Sequence, residues 1–256
     1  EYAMAGGRLN ADSIDNSGGV DCSDHEVNIK ILLDSAVASG TLTARRRDAL
    51  LARMTDEVAD LVLHNNYLQS QAISVVEARG TEVFDDQVRM MRMLERAGRL
   101  NREVEFLPDD EALDERQAAK KGFTRPEIAV LMPHLKIWLY DELLKSDLPD
   151  DPRLFEDLVR YFPTPLQKTY HDTIGDHRLR REIIATTVTN SMINRVGGSY
   201  VTQLMEKTGM TATDIAGAYI IARDVFAVRE TWVAIEELDN AVPASVQTAM
   251  MVETNR

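Results

Sequence analysis

Asn16, Gly18, Gly19, Ser23 and Glu26 are the residues of this chain whose types and spacing could do chemistry. They lie in the stretch DNSGGVDCSDHEVNIKI, Asp15 to Ile31. An asparagine amide both donates and accepts hydrogen bonds. A glycine pair lets the backbone approach a ligand closely or adopt a positive φ. Ser23 followed by Glu26 has the spacing of a capping box, in which the serine oxygen accepts from a backbone N–H at a helix start. A helix start also receives carboxylates and phosphates, because its first N–H groups have no partner within the helix and its dipole favours negative charge. The spacing therefore predicts a polar turn over Asn16–Gly19, a connector over Val20–Ser23, and a helix from Asp24. Val27, Ile31 and Val37 repeat along one side of that helix, widened by Ile29, Leu32 and Leu33. On the residues alone, a loop and a capped helix without any ligand accounts for the same pattern.

Other chemistry fares less well. Cys22 and His25 are spaced as two metal ligands would be, but no second pair follows, and a closed zinc site needs four protein ligands. Cys22 lies among Asp21, Asp24 and Glu26, and acidic surroundings raise a thiol pKa, which opposes a nucleophilic role. His64, His134, His171 and His177 are scattered singly. No G-x-G-x-x-G follows a strand pattern.

The formal charge of −13 argues against a nucleic-acid backbone or an anionic membrane surface as partner, since both need clustered lysine and arginine. A single cysteine excludes an internal disulfide. No apolar run approaches the ~20 residues of a membrane span and no signal peptide is visible, so a cytoplasmic location is expected. Glu1 to Gly7 contains no initiator methionine at its head, and organised chemistry starts within the first twenty-five residues. The chain is therefore expected to be the C-terminal fragment of a longer polypeptide.

The elements that must position these residues are helices. The fold class expected is mainly α, a multi-helix array. Residues 1–23 read as a connector and active-site loop, 24–100 as a helical part completing a cleft, 101–122 as an irregular, acidic linker, and 123–256 as a C-terminal helical part. After the first helix, ending near Gly40, Thr43 opens a periodic run to Ala78. That is long for a globular helix, so a break is expected near Met54-Thr55 or at Asn65-Asn66. A third helix spans about 82–97. Val104, Phe106 and Leu107 suggest a short extended piece, followed by an acidic helix over about 109–119. Thr124 and Glu127 form a second capping box, with Pro126 in the first turn and Pro133 expected to bend or divide the run that follows. Asp151-Pro152 starts another helix, and a short helical piece covers 166–174. A helix over about 177–195 begins with Arg178, Arg180 and Arg181, which oppose its dipole; they read first as a solvated helix end, and otherwise as partners of acidic neighbours elsewhere, in this chain or another subunit. Gly197-Gly198 ends it, and four more helices follow.

Asn16, Gly18, Gly19, Val20, Ser23 and Glu26 match the segment NAGGV-x-x-S-x-x-E that follows the nucleotide-binding domain of glutamate dehydrogenases, with Ser17 in place of the alanine of compact members. The strings GRLNADSIDNSGGVDCSDHEVNIKI, MTDEVADLVLHNNYLQSQA, FTRPEIAVLMPHLKIWLYDELL and RLRREIIATTVTNSMINRVG resemble the large bacterial NAD-specific glutamate dehydrogenases. The resemblance covers essentially the whole chain. It implies oxidation of L-glutamate to 2-oxoglutarate and ammonia with NAD as cofactor. It places Ser23 against the side-chain carboxylate of bound glutamate, and Asn16, Gly18 and Gly19 beside the cofactor. It also implies that the catalytic lysine and aspartate and the nucleotide-binding fold lie upstream, so that this fragment is inactive alone. Its expected partners are those upstream domains, the substrate, and further copies in a homo-oligomer. The competing expectation is a non-catalytic helical module for oligomerisation or regulation.

Overall fold

In a computed structural model, residues 1–254 are described, and among them every regular element is a helix. The order is α1 (Asp12–Asp15), α2 (Ser17–Ala38), α3 (Ala44–Arg79), α4 (Phe84–Arg96), α5 (Asp110–Ala118), α6 (Arg125–Leu144), α7 (Phe155–Tyr161), α8 (Thr164–Thr169), α9 (His171–Gly175), α10 (Arg180–Val196), α11 (Gly198–Thr208), α12 (Ala212–Val225), α13 (Val228–Glu236) and α14 (Ala244–Glu253). Short 3-10 turns precede α4 and separate α6 from α7.

The frame is α3. It runs 36 residues without a break, about 54 Å at ~1.5 Å per residue. Thr43 caps it by accepting from the Arg46 N–H, and Gly80 closes it at φ +50. The expected break at Met54-Thr55 or Asn65-Asn66 does not occur. Thr55 bonds back to the Ala52 carbonyl and stays helical. Asn65 and Asn66 spend their amides on other elements rather than on their own backbone. Packing against α2, α6, α10 and α14 keeps the helix unbroken through positions of weak propensity.

One apolar core runs from Ile14 to Met251, and helices from before and after residues 101–122 interleave in it. Ile73 of α3, Met91 and Leu94 of α4, Leu135 and Leu139 of α6, and Met192 of α10 are essentially inaccessible. The turn between α10 and α11 fits this core only as glycine. Gly197 has φ +83, and a Cβ on Gly198 would come within 2.9 Å of Leu135.

Local signals account for many of the ends. Asp109 caps α5 through the Ala112 N–H at 2.8 Å. Thr124 and Glu127 form the expected capping box on α6, and Arg116 grips both Glu127 oxygens at 2.7 Å. Pro133 does not divide α6. The extended piece expected at 104–107 is a turn instead. Asn101 accepts from the Glu103 and Val104 N–H groups, and Phe106 sits at φ +53 with its ring in solvent. The arginines at the start of α10 answer to this same chain. Arg180 and Arg181 pair with Asp150, and Arg181 also donates to the Leu144 and Ser146 carbonyls at 3.0 and 2.9 Å. Arg181 thereby serves the C-terminal end of α6, where a cation belongs.

Candidate functional site

The chain enters the site through α1, whose Ile14 is fully buried, and turns at Asn16. Asn16 takes φ −112 and ψ 18, outside the helical region, and α2 begins at Ser17. The helix therefore starts seven residues earlier than the periodicity suggests. Gly18 and Gly19 are its first turn, not a loop, and neither has a positive φ. The apolar pattern misplaced the start because two glycines carry no hydropathy signal, and glycine inside a helix costs about 1 kcal/mol relative to alanine.

Hydrogen bonds from α3 offset that cost. Asn66 donates to the Ile14 carbonyl at 2.7 Å and to the Ser17 hydroxyl at 2.8 Å. Gln69 reaches the same hydroxyl at 3.3 Å, and Asn65 donates to Asp21 at 2.8 Å. From α6, the buried Arg125 donates to Asn10 at 2.9 Å and to Glu77 at 2.8 Å, while Asn10 donates to Asp15 at 3.0 Å. The segment 10–21 is thus clamped from two helices. Asn65 and Asn66, which the sequence marks only as a weak spot in α3, are its main holders.

Ser23 is not a cap. It lies in the second turn of α2, and its hydroxyl donates to the Gly19 carbonyl at 3.3 Å. Glu26 pairs with Lys30 instead of closing a capping box. At 100° per residue, Asn16, Gly19, Ser23 and Val27 fall on one stripe, and all four are exposed. A Cβ on Gly19 would stand 3.6 Å from the Asn16 amide oxygen, so those two residues are neighbours on the stripe. The Asn16 side chain makes no hydrogen bond among the described residues. Gly18 points the other way, where a Cβ would meet Val62 of α3 at 3.5 Å. The structure thus brings Asn16, Gly19 and Ser23 together and sets Gly18 against the core.

The half of α2 turned toward Tyr161 of α7 presents Asp21, His25 and Asn28, with the exposed Asp24 at its edge. His25 is buried, stacks on Tyr161 at 4.4 Å, and has its pKa lowered by burial. Cys22 is exposed and unpaired with any other cysteine. Among the described residues no three His, Cys, Asp or Glu side chains are arranged to hold a metal ion. Lys136 of α6 stands near Asp21 without a hydrogen bond or ion pair among the described residues. Burial lowers its ammonium to about 7, with Asp21 opposing the shift. Its only trace in the sequence is one lysine inside the apolar run Leu135 to Leu139.

The family follows from two matches. Residues 120–256 match the sequence model described as glutamate dehydrogenase, C-terminal, and residues 1–76 match that of the bacterial NAD-glutamate dehydrogenase catalytic domain. The chain belongs to the bacterial NAD-specific glutamate dehydrogenase family. Proteins named NAD-specific glutamate dehydrogenase in Pseudomonas aeruginosa and Halomonas elongata are each 48% identical to it over 256 residues, and one in Mycobacterium tuberculosis is 38% identical. All 256 residues of the chain are covered in each case, but they span only 16% of those relatives' length. The catalytic-domain match ends at residue 76, inside α3, so it takes in the Asn16–Ser23 stripe together with Asn65, Asn66 and Gln69 that hold it. No helix among the described residues is long and apolar enough to cross a membrane.

Proposed function

We propose that this chain forms the substrate-side wall of the cleft, and the C-terminal helical part, of an NAD-dependent glutamate dehydrogenase. The reaction is L-glutamate, NAD and water to 2-oxoglutarate, ammonia and NADH. The observation that carries the reading is the exposed stripe of Asn16, Gly19 and Ser23, held in place by Asn66, Gln69 and Arg125 while its own polar groups stay available. Ser23 donates its proton to the substrate's side-chain carboxylate by turning away from the Gly19 carbonyl, a long bond at 3.3 Å that is weak to give up. NAD, held mainly by upstream domains, supplies the hydride acceptor when bound. The unbonded Asn16 amide and the bare Gly19 backbone suit the edge of a flat ring, one as hydrogen-bond partner and the other by close approach. Gly18 acts indirectly, letting α2 lie close to α3. The catalytic lysine and aspartate come from upstream domains, so the chain is inactive alone. The assembled enzyme is a cytoplasmic homo-oligomer.

Gly19→Ala in a full-length enzyme carrying this sequence tests the reading. A first-turn helical glycine whose added Cβ would meet only the Asn16 oxygen, at an ordinary 3.6 Å, should gain up to about 0.5–1 kcal/mol of stability on becoming alanine. If the stripe walls the cleft, the same change should lower kcat/KM by about tenfold or more, the equivalent of ~1.4 kcal/mol of transition-state stabilisation. A stability gain with unchanged kinetics would show that the stripe faces no ligand.

A further inference from the structure

The helix α12 is apolar on both sides. Ile215, Ala216, Tyr219 and Ile220 pack into the core, and Arg223 is buried beside Asp157 at 2.9 Å. The opposite face carries Ala218, Ile221, Ala222 and Val225, and Phe226 extends it. This is the i, i+3, i+4, i+7 spacing by which a helix seats itself on a partner. All five residues are exposed. Ile221 is 47% open, Val225 71% and Phe226 75%. After Asp214, which closes the capping box with Thr211, this face carries no charge. At its end Ala227 takes φ +50 and turns the chain into α13, so Phe226 stands at the corner.

Other outer faces of the molecule differ. The exposed positions of α4 are Asp85, Arg89, Arg92 and Arg96, opposite a buried row of Val88, Met91 and Leu94. That is the ordinary division of a surface helix, whereas a helix that is apolar all round belongs inside a protein.

The size of the α12 patch decides what covers it. The five residues offer on the order of 400 Å² of apolar surface. A stable contact between separate molecules takes about 800 Å² from each. A second copy would also bring its own net charge of −13. A segment of the same polypeptide docks on a smaller area, because its tether supplies a high effective concentration and removes the cost of joining two molecules. This chain spans 16% of its relatives' length, so most of such a polypeptide lies outside it. We infer that an uncharged, apolar surface of the upstream part of the same polypeptide docks on the Ala218–Phe226 face of α12. It is a hold separate from α2. The inference rests on reading this chain as part of a longer enzyme, and not on the role given to Ser23.

Photochemical cross-linking of a full-length enzyme carrying this sequence and Phe226→p-benzoylphenylalanine tests it, since the excited benzophenone bonds to a C–H group lying against it. The main product should be a cross-link within one polypeptide, with no doubling of mass on a denaturing gel. Peptide mass spectrometry should place its far end outside residues 1–256. Val225→Asp, at an exposed position, should leave the fold intact by its melting curve and lower the yield about tenfold. Ser23→Ala should leave the yield unchanged, so kinetics that removed Ser23 from the substrate site would not alter this result. A main product of twice the mass would put a second copy on the face. A far end within residues 1–256, an unreacted benzophenone, or a yield indifferent to Val225→Asp would put no docked segment there. Each of these results overturns the inference.

Discussion

Replacing Ser23 by alanine in the full-length enzyme is expected to raise the KM for glutamate roughly ten- to hundredfold and to leave the KM for NAD near its parent value. The magnitude is that of one hydrogen bond to a charged ligand, about 1.5–3 kcal/mol. The split between the two substrates is the informative part, because a general loss of folded enzyme would lower the rate with both. The structure also changes what the substitution should do to stability. Had Ser23 capped a helix, its loss would cost about 1 kcal/mol. It instead sits on the exposed face of α2 and bonds back to the Gly19 carbonyl, an arrangement that slightly disfavours a helix. Alanine is the better helix former there, so thermal unfolding should be unchanged or slightly raised, by about 0.5 kcal/mol or less. Steady-state kinetics in each substrate, with a melting curve alongside, reads both halves. Equal KM values for glutamate before and after the change would remove Ser23 from the substrate site.

Asp157→Ala should have the largest effect on stability. Asp157 is almost wholly buried and pairs with both Arg223, at 2.9 Å, and Arg229. The Arg223 side chain is 1% exposed and already holds one nitrogen without a partner. After the change, the Arg223 charge would keep only Asp224, which is half in solvent. Breaking a buried pair by removing one partner costs about 3–5 kcal/mol, a large share of the ~5–15 kcal/mol that holds a domain folded. Denaturant unfolding of the parent and variant measures it. A loss under about 1 kcal/mol would mean that Arg223 reaches water once released.

Most of the helix content was legible in the sequence, for identifiable reasons. Thr43, Asp109 and Thr124 each cap the helix that their position predicts, and Gly197-Gly198 divides α10 from α11. Where the reading failed, tertiary packing overrode a local signal. Ser23 and Glu26 have the spacing of a capping box, yet the helix passes through them, because Asn66 and Gln69 anchor its true start at Ser17. Of the two asparagines that looked like a break in α3, Asn66 is one of those anchors and Asn65 holds Asp21 one turn further along α2. Their contacts are 49 and 52 residues away in sequence for Asn66, and no periodicity encodes a partner at that distance. The stripe was half visible. The sequence singles out Asn16, Gly19 and Ser23, but their common face follows only once Gly19 and Ser23 lie on one helix with Asn16 as its N-cap. Gly18 looked equivalent to Gly19, and only the register of α2 separates them.

The proposed function requires this chain to complete a catalytic cleft whose other half lies upstream. The most direct measurement is glutamate-dependent NADH formation when this chain is co-expressed with the upstream part of its own enzyme. Activity should appear only when both parts are present, and should fall when Asn16 or Ser23 is replaced by alanine. Full activity from the upstream part by itself would contradict the account and leave Asn16, Gly19 and Ser23 as surface residues of an accessory helical module.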